Sequence, residues 1–354
     1  MAITLNDIAT KAGLSISTVS RVLNKKSARS RISRGTEKLV LKTAKELNYR
    51  PNQLARGLRL KRTHTLGLVV PDISNPFFAY ITKSIQNVSH RLGYSLVVCD
   101  TDENLPLEIE HTNLLASKGV DGLIVLPVGQ KYAHLEALLR NGTPLVVVDR
   151  SFDSLETSTV IIDNYGGAFE ATEFLIRNGH KRMAIIQGLP DTFTSRGRLQ
   201  GFLDAHEKHS LHVDPHLVVG RDFRKETGYI ETKFLLSLEH RPTAIFTTSD
   251  LITLGALEAI IEEGIEVPRD LSIMAFDDLE SVAYFRCPIT AVAQPKENMG
   301  EIAVKLLLDQ IRHPDRSEPK RIVLKPKLIV RESVGQIGEP VGTHDVHGGE
   351  LVTS

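Results

Sequence analysis

The stretch SISTVSRVLN, residues 15–24, decides the fold of the N-terminal segment. Its apolar residues Val19, Val22 and Leu23 recur at helical spacing, so the stretch predicts a short amphipathic helix. Ser15 precedes this face and can cap the helix, because its hydroxyl can accept a hydrogen bond from an orphan backbone amide. The opposite face carries Ile16, Ser17, Ser20 and Arg21. The stretch therefore predicts a helix with one buried face and one face free for contact.

A first helix precedes this one, and a third follows it. Thr4 and Asp7 have the spacing of a capping box, and Gly13 suits the left-handed residue that ends a helix. Ser33 can cap the third helix, which would complete a small core. Two short helices joined by a tight turn form a helix-turn-helix, whose second helix reads base edges in the DNA major groove. The pattern predicts that Arg21 approaches a guanine edge or a phosphate.

The charge of the chain is distributed unevenly. The formal net charge is zero, but residues 1–62 have a balance of +12 and the rest of the chain has a balance of −12. A basic segment of this size can neutralise phosphates and release their counterions, which makes nucleic acid its expected partner. A solvated basic tail is the alternative, but the regular helical pattern favours a folded domain.

Three motifs together resemble the lactose-repressor family of bacterial transcription regulators. They are LNDIA at residues 5–9, STVSRVLN at residues 17–24 and YRPN at residues 49–52. The resemblance extends to about residue 333 and so covers nearly the whole chain. It implies a sequence-specific repressor of carbohydrate metabolism genes. As a homodimer or a higher oligomer, such a protein would bind a pseudo-palindromic operator in double-stranded DNA.

The same resemblance implies how DNA is contacted. It predicts an all-α helix-turn-helix headpiece in residues 1–49, followed by a hinge helix and linker in residues 50–62. A leucine matching Leu58 enters the minor groove in that family, and such a wedge unstacks a base step and bends the duplex. The residues expected at DNA are Thr4, Ser15, Ile16, Ser17, Thr18, Ser20, Arg21, Asn24, Asn52, Gln53, Ala55 and Leu58. The segment Lys25–Ile32 is a few residues longer than usual, which resembles the fructose and sucrose repressor branch.

After residue 62 the pattern changes to apolar runs that alternate with helix-length segments. This alternation predicts parallel sheets joined by crossover helices. The runs are Thr65–Val70, Ser95–Cys99, Gly122–Leu126, Leu145–Val148, Met183–Gln187, Ala244–Thr248 and Ser272–Phe276. Two such sheets would hold a ligand between the carboxyl ends of their strands.

The resemblance also implies how this part of the chain is divided. It predicts two α/β parallel-sheet subdomains of the periplasmic-binding-protein type, between which the chain crosses repeatedly. The expected subdomains are residues 63–163 plus 293–323 and residues 164–292 plus 324–335. The tail, residues 336–354, contains four Gly and one Pro but no apolar heptad, so we expect it to be disordered.

Candidate ligand-binding residues directly follow the predicted strands. Phe77 and Phe78 can stack against the apolar face of a sugar ring, or at least one of them can belong to the core. Asp149 can accept hydrogen bonds from two sugar hydroxyls, or it can be a turn residue. The guanidinium groups of Arg196 and Arg198 suit a pair of hydroxyls, a carboxylate or a phosphate. Together these side chains favour a sugar-like ligand.

Further candidates follow two later strands. We expect Asp250 to cap a helix and Asp277 to contact the ligand. The resemblance places four residues in the family's effector pocket, namely Asp149, Arg198, Ser249 and Asp277. Asparagine is commoner at the position of Ser249, which bears on the identity of the effector.

A sugar or sugar phosphate is the predicted effector. The pair Asp149-Arg150 and the motif CPITAVAQ at residues 287–294 resemble the fructose repressor and its sucrose-operon relatives. This resemblance makes Arg150 a further expected contact. It also makes fructose 1-phosphate the leading candidate.

The chain lacks the motifs of several common enzyme classes. It contains no G-x-x-x-x-G-K phosphate loop, no G-x-G-x-x-G dinucleotide motif and no G-x-S-x-G elbow. Neither an enzyme nor a bound cofactor is therefore expected. His206, His209 and His212 lack the spacing of a zinc helix, so we expect them on a solvated surface and predict no metal site.

The cell compartment is predicted from what the sequence lacks. No stretch is long and apolar enough to span a bilayer, and the first residues do not form an export signal. With only two cysteines, a cytoplasmic protein without a disulfide framework is expected. A periplasmic-type sugar-binding protein and a sugar-modifying enzyme are the alternatives. The basic N-terminal segment argues against the first and the missing catalytic motifs against the second.

Overall fold

The computed structural model describes residues 3–24, 32–49, 62–129, 131–279, 286–315 and 318–337. The chain divides into two units, residues 1–63 and residues 64–354, and each unit has its own apolar cores. Within the described ranges, no helix combines the length and the apolar character needed to cross a membrane.

Helices form the N-terminal unit, and their bounds are α1 Leu5–Ala12, α2 Ile16–Leu23 and α3 Arg34–Glu46. α1 begins with the predicted capping box, in which Thr4 and Asp7 bond each other reciprocally. The turn after α1 contains Gly13 at φ 63°, a left-handed conformation that glycine adopts without steric cost. The core of the unit contains Ile8, Ala9, Val19, Val22, Val40 and Ala44. The predicted helix-turn-helix is therefore confirmed.

The second unit alternates strands with helices. Its strands are β1 Thr65–Val70, β2 Ser95–Asp100, β3 Gly122–Val125, β4 Leu145–Val148, β5 Ser158–Ile162, β6 Met183–Ile186, β7 Val218–Val219, β8 Ala244–Thr247, β9 Ser272–Phe276, β10 Thr290–Ala293, β11 Arg321–Leu324 and β12 Lys327–Ile329. Its α-helices are α4 Pro76–Arg91, α5 Leu105–Ser117, α6 Ala133–Arg140, α7 Asn164–Arg177, α8 Phe193–Lys208, α9 Lys225–Ser237, α10 Asp250–Glu262 and α11 Lys296–Arg312.

The strands form two six-stranded sheets with helices on both faces. The first sheet has the strand order β11-β5-β4-β3-β1-β2, and the second has the order β12-β10-β9-β8-β6-β7. The first sheet is parallel throughout, and in the second only β12 runs antiparallel to its neighbour β10. α4 and α11 cover one face of the first sheet, while α5 and α6 cover the other. The predicted α/β parallel-sheet architecture is confirmed.

The chain passes between the two sheets at three places. β1 to β5 belong to the first sheet and β6 to β10 to the second. The chain then returns to the first sheet with α11 and β11, and it crosses once more to reach β12. The passages therefore follow Ile162, Ala293 and Leu324. Each sheet is built from separate stretches of the chain.

The first described residues of the expected C-terminal tail contact the folded unit. Ile337 lies within the expected tail, but its amide donates to the carbonyl oxygen of Asn178 at 2.8 Å. The remainder of that tail, residues 338–354, lies outside the described residues.

The predicted solvated position of His206 is wrong, because α8 turns this side chain inward. There its Nδ1 lies 2.8 Å from the carbonyl oxygen of Phe202.

Candidate ligand-binding site and DNA-binding helix

The second helix of the N-terminal unit presents a mixed surface. Ile16 is 49% exposed, and Ser17 and Arg21 are exposed as well. No ion pair joins Arg21 to another residue in the described part of the chain. These three side chains are therefore available to contact a base edge or a phosphate.

Other predicted DNA contacts are used within the N-terminal unit itself. The hydroxyl of Ser15 caps α2 by accepting from the amide of Thr18 at 3.2 Å. Nδ2 of Asn24 donates to the carbonyl oxygen of Ser20 at 2.6 Å, so this amide closes the end of α2. Thr4 caps α1. Thr18 and Ser20, two further predicted contacts, are half-buried on α2, and the last four, Asn52, Gln53, Ala55 and Leu58, lie outside the described residues.

A narrow pocket with a cavity volume of about 20 Å³ lies at the carboxyl ends of strands from both sheets. Its lining consists of Asn75, Phe77, Phe78, Asp149, Arg150, Thr194, Arg198, Phe223, Ser249 and Asp277. All the predicted ligand contacts except Arg196 are among these lining residues. Parallel strands bring their carboxyl ends to one edge, which is why residues far apart in sequence meet there.

Arg196 lies outside the pocket, which corrects the sequence prediction. Its side chain is exposed, and its Nη1 donates to the carbonyl oxygen of Asp191 at 3.1 Å. Residues two apart on a helix do not share a face, so α8 can direct only one of the two arginines inward. That arginine is Arg198, which is buried.

The pocket also contains three residues that the sequence did not indicate. Asn75 caps α4 by accepting from the amide of Phe77 at 3.0 Å, and a cap signal before Pro76 could have identified it. Thr194 lies in the first turn of α8. Phe223 follows β7, which is only two residues long, so no apolar run marks its position.

Asp149 follows β4 and is buried in the pocket wall. Its backbone is left-handed, with φ at 70°, a conformation that aspartate and asparagine adopt more readily than most residues. Burial raises the pKa of its carboxyl to about 6, against the attraction of Arg150 and Arg198. Its Oδ1 has no hydrogen-bond partner among the described residues. The carboxylate can therefore accept a hydrogen bond from a ligand.

Arg150 forms the wall next to Asp149. The carboxylate of Glu103 holds its guanidinium group through two hydrogen bonds of 2.6 and 2.7 Å, and the carbonyl oxygen of Val128 accepts at 2.7 Å. Burial acts to lower the pKa of Arg150, but the charge and hydrogen bonds of Glu103 leave that pKa raised. Its Nε lies 4.0 Å from Oδ2 of Asp149 and has no hydrogen-bond partner within the described ranges. One donor of this buried group is therefore available.

Arg198 occupies another side of the pocket. Its Nε donates to Oδ1 of Asn164 at 2.8 Å, and its Nη1 donates to the carbonyl oxygen of Thr248. The guanidinium carbon lies 3.8 Å from the centroid of the Phe276 ring, in cation–π contact. Burial lowers the pKa of Arg198, although the aspartates of the pocket oppose that shift. The side chain is thus fixed by Asn164 at the start of α7, by the backbone after β8 and by an aromatic ring of β9.

The strand ends of β8 and β9 supply the remaining polar groups. Asp277 adopts φ 81°, and its Oδ1 accepts from Nε2 of Gln294. The predicted helix cap at Asp250 is wrong by one residue, because the hydroxyl of Ser249 accepts from the amide of Ile252 at 3.3 Å. Asp250 is instead buried at the start of α10, where burial and the charge of Asp277 raise its pKa. Ser249 therefore serves both the helix and the pocket.

The pocket offers hydrogen bonds and apolar stacking. Its aromatic rings are Phe77, Phe78 and Phe223, and its polar groups are carboxylates, guanidinium groups, an amide and hydroxyls. In the described part of the chain, no group of three or more His, Cys, Asp or Glu side chains could hold a metal ion. This arrangement suits reversible binding of a small polar molecule.

Two family descriptions match this chain. "Bacterial regulatory proteins, lacI family" matches residues 4–52, which include the helix-turn-helix. "Periplasmic binding protein-like domain" matches residues 172–334. The first match covers the basic N-terminal unit and the second covers much of the two-sheet unit.

Relatives and solved structures match nearly the whole chain. The HTH-type transcriptional repressor PurR of Aliivibrio fischeri (strain MJ11) is 35% identical over 335 residues, which cover 94% of this chain and 98% of that protein. PurR of Haemophilus influenzae (strain PittEE) is 36% identical, with coverages of 94% and 99%. The lac repressor dimer bound to operator and the anti-inducer ONPF superposes with a TM-score of 0.83 at 26% identity, covering 95% of this chain and 100% of that chain. The complex of the transcriptional regulator CelR with cellobiose has a TM-score of 0.71 at 33% identity, with coverages of 94% and 99%.

Proposed function

The chain belongs to the lacI family of bacterial regulatory proteins and is a DNA-binding transcriptional repressor, and on this premise we propose that a neutral sugar in the pocket controls its affinity for operator DNA. The alternatives of a sugar-binding protein without a DNA-directed role and of a sugar-modifying enzyme are therefore set aside.

Two polar atoms on consecutive residues of the pocket carry the proposal. Oδ1 of Asp149 accepts and Nε of Arg150 donates, and neither has a hydrogen-bond partner among the described residues. Hydroxyl groups both donate and accept, so the hydroxyls of a sugar can supply partners for both atoms. Since buried polar groups without partners are costly, a ligand that supplies those partners stabilises the pocket.

The apolar wall fits the same class of ligand. Phe77 and Phe78 contact each other edge to face, with ring centroids 5.1 Å apart. Phe223, which follows β7 of the second sheet, also lines the pocket. Aromatic faces can pack against the C–H face of a sugar ring. The CelR structure, which is 33% identical and contains cellobiose, supports a sugar in this fold.

The charges of the pocket favour a neutral sugar over a sugar phosphate. Glu103 pairs with Arg150, and Asp149, Asp250 and Asp277 all act on Arg198. The guanidinium group of Arg150 is therefore neutralised by an ion pair with Glu103, whereas nearby carboxylates attract that of Arg198 without forming an ion pair within the described ranges. A phosphate would have to compete with those carboxylates in a buried site. Fructose 1-phosphate, the effector expected from the sequence, is thus less favoured than its uncharged counterpart, fructose.

DNA binding and ligand binding are coupled by linkage in this proposal. A ligand that prefers one conformation of the two-sheet unit shifts DNA affinity by the ratio of its affinities for the two conformations, typically about 5- to 150-fold. We infer that the active form is a homodimer in the cytoplasm, with one helix-turn-helix on each half of a pseudo-palindromic operator. The lac repressor structure, described as a dimer bound to operator, supports this assembly.

Selection of random DNA duplexes by the purified chain tests the proposal. The selection is repeated with a panel of neutral monosaccharides and disaccharides, and with fructose and fructose 1-phosphate as a matched pair. We expect a palindromic consensus whose affinity changes at least about fivefold with one neutral sugar. A consensus that responds to fructose 1-phosphate but to no neutral sugar would refute the neutral-ligand proposal. A consensus insensitive to the whole panel would refute control by sugars.

A further inference from the structure

Glu103 lies behind the pocket wall, where it holds a pocket arginine. It follows β2 in a turn with left-handed backbone, φ 53°, and its side chain is 21% exposed. Its two carboxylate oxygens accept from Nη1 and Nη2 of Arg150 at 2.7 and 2.6 Å. Such a bidentate pair is the strongest arrangement that a carboxylate and a guanidinium group form. Glu103 itself does not line the pocket.

The position of Arg150 does not depend on Glu103 alone. Nη1 also donates to the carbonyl oxygens of Val128 and Pro127, at 2.7 and 3.3 Å. The guanidinium carbon lies 5.8 Å from the ring centroid of Phe78 and 4.8 Å from that of Phe223. Carbonyl groups and aromatic rings would therefore keep Arg150 in the wall if the carboxylate were removed.

A second buried acid anchors the backbone segment that contains those carbonyl groups. Glu108 is fully buried, and one of its oxygens accepts from the amide of Val128. Its other oxygen lies 2.8 Å from Nε2 of His134. The segment that contacts Arg150 is thus anchored by a carboxylate other than Glu103. Removing the charge of Glu103 should leave this anchor intact.

We propose that Glu103 determines the charge of the ligand that the pocket accepts, by neutralising Arg150 so that the site takes neutral rather than anionic molecules. The inference deepens the proposed function and rests on it. Arg150 is only 2% exposed, so its charge is screened little by water. Without Glu103 the buried cation would lose its strongest partner and keep only the weaker attraction of Asp149 and Glu108, so an anion with phosphate-like geometry would become the favoured replacement.

The test uses the full chain with Glu103 replaced by Gln, which keeps the shape of the side chain and removes its charge. The probe is inorganic phosphate, compared with chloride at equal ionic strength, and the readout is the thermal unfolding midpoint of the two-sheet unit. We expect E103Q to bind phosphate at least about tenfold more tightly than the unsubstituted chain, because charge-assisted hydrogen bonds form in a buried site. Phosphate bound by the basic N-terminal unit affects both proteins equally.

Two variants serve as controls. Asp102→Asn removes the same charge from the same turn, but Asp102 is exposed and lies 3.7 Å from Arg224 rather than against Arg150. Glu103→Asp keeps the charge and shortens the side chain. Both should respond to phosphate as the unsubstituted chain does. An equal gain in D102N, or no gain in E103Q, would overturn the proposal.

The outcome is also decisive if the substitution harms folding. An E103Q protein that is unfolded in chloride should recover a cooperative unfolding transition when phosphate is added, because a ligand that binds only the folded state stabilises it. Failure to recover would count against the role of Glu103. Since the readout needs neither sugar nor DNA, a failure of the proposed effector class would appear separately, as a missing sugar response in the unsubstituted chain.

Discussion

Asp149 and Asp277 follow central strands of different sheets, β4 and β9, and both adopt a left-handed backbone, with φ at 70° and 81°. This conformation is uncommon for residues other than glycine and turns each carboxylate toward the shared pocket. A ligand that bonds to both aspartates would therefore connect the two sheets. That connection is the simplest physical basis for a ligand-dependent change in the shape of the unit.

Replacing Asp277 by Asn should remove the ligand response while leaving operator binding intact. Asparagine tolerates the left-handed backbone, and its Oδ1 can still accept from Gln294. The lost charge should weaken a hydroxyl contact by about 1.5–3 kcal/mol, which is about 13- to 160-fold in affinity. Operator affinity measured with and without the neutral sugar checks this. A variant with an unchanged sugar response would remove Asp277 from the binding site.

Replacing Asp149 by Asn should change how stability depends on pH. The carboxyl's pKa rises from 3.8 to about 6 on folding, because burial disfavours the charged form. The folded state binds this proton more tightly than the unfolded state does. The resulting contribution to the free energy of unfolding is fully present below the unfolded pKa and is lost as pH rises through about 6. D149N lacks this loss, so its free energy of unfolding should gain about 2.5 kcal/mol over the unsubstituted chain between pH 4 and pH 7.

Denaturant unfolding across that pH range measures the difference. Asp191→Asn is the matched control, because Asp191 also has left-handed backbone, with φ at 63°, but its side chain is exposed. The D191N difference should stay flat. A flat difference for D149N as well would show that the carboxyl of Asp149 is not held in a disfavoured charged form.

The sequence indicated those parts of the fold that leave a one-dimensional pattern. β3, β4 and β6 are fully buried and appear as continuous apolar runs, which is typical of central parallel strands. β11 alternates exposed and half-buried residues and β7 has two residues, so neither produces such a run. Edge strands of this kind are defined by their neighbours rather than by their own composition.

The sequence likewise indicated only some of the residues that form the pocket. Asp149 and Asp277 were found because a polar residue after a buried strand must lie at the ligand edge of a parallel sheet. Phe223 reaches the pocket from an irregular segment, and Glu103 acts through its contact with Arg150. Such contacts depend on tertiary packing, for which the sequence offers no periodic signal. The inward direction of Arg198 and the outward direction of Arg196 likewise depend on where α8 begins.

Two glycines permit the close packing of α9 against α10. A Cβ on Gly228 would clash with the carbonyl oxygen of Ile252, and a Cβ on Gly255 would clash with that of Lys225. Backbone atoms cannot rotate away, so each Ala substitution should cost about 1–3 kcal/mol despite alanine's better helix propensity. The double variant should cost less than the sum, because one separation of the helices relieves both clashes. Denaturant unfolding checks this, and additive costs would indicate independent local adjustments.

Replacing Arg21 by Ala should relax the choice of operator more than it weakens DNA binding overall. Arg21 is exposed on α2 and forms no ion pair with the other described residues, so its guanidinium group is available for a bidentate contact to guanine. Loss of such a contact should reduce the free-energy difference between specific and non-specific binding by about 1–3 kcal/mol.

Lys38→Ala removes the same charge from an exposed position on α3 and should reduce the specific and the non-specific affinity alike. Titration of consensus and scrambled duplexes at fixed salt distinguishes the two effects. An unchanged ratio for R21A would limit Arg21 to a phosphate contact, because phosphate contacts set affinity without carrying sequence information.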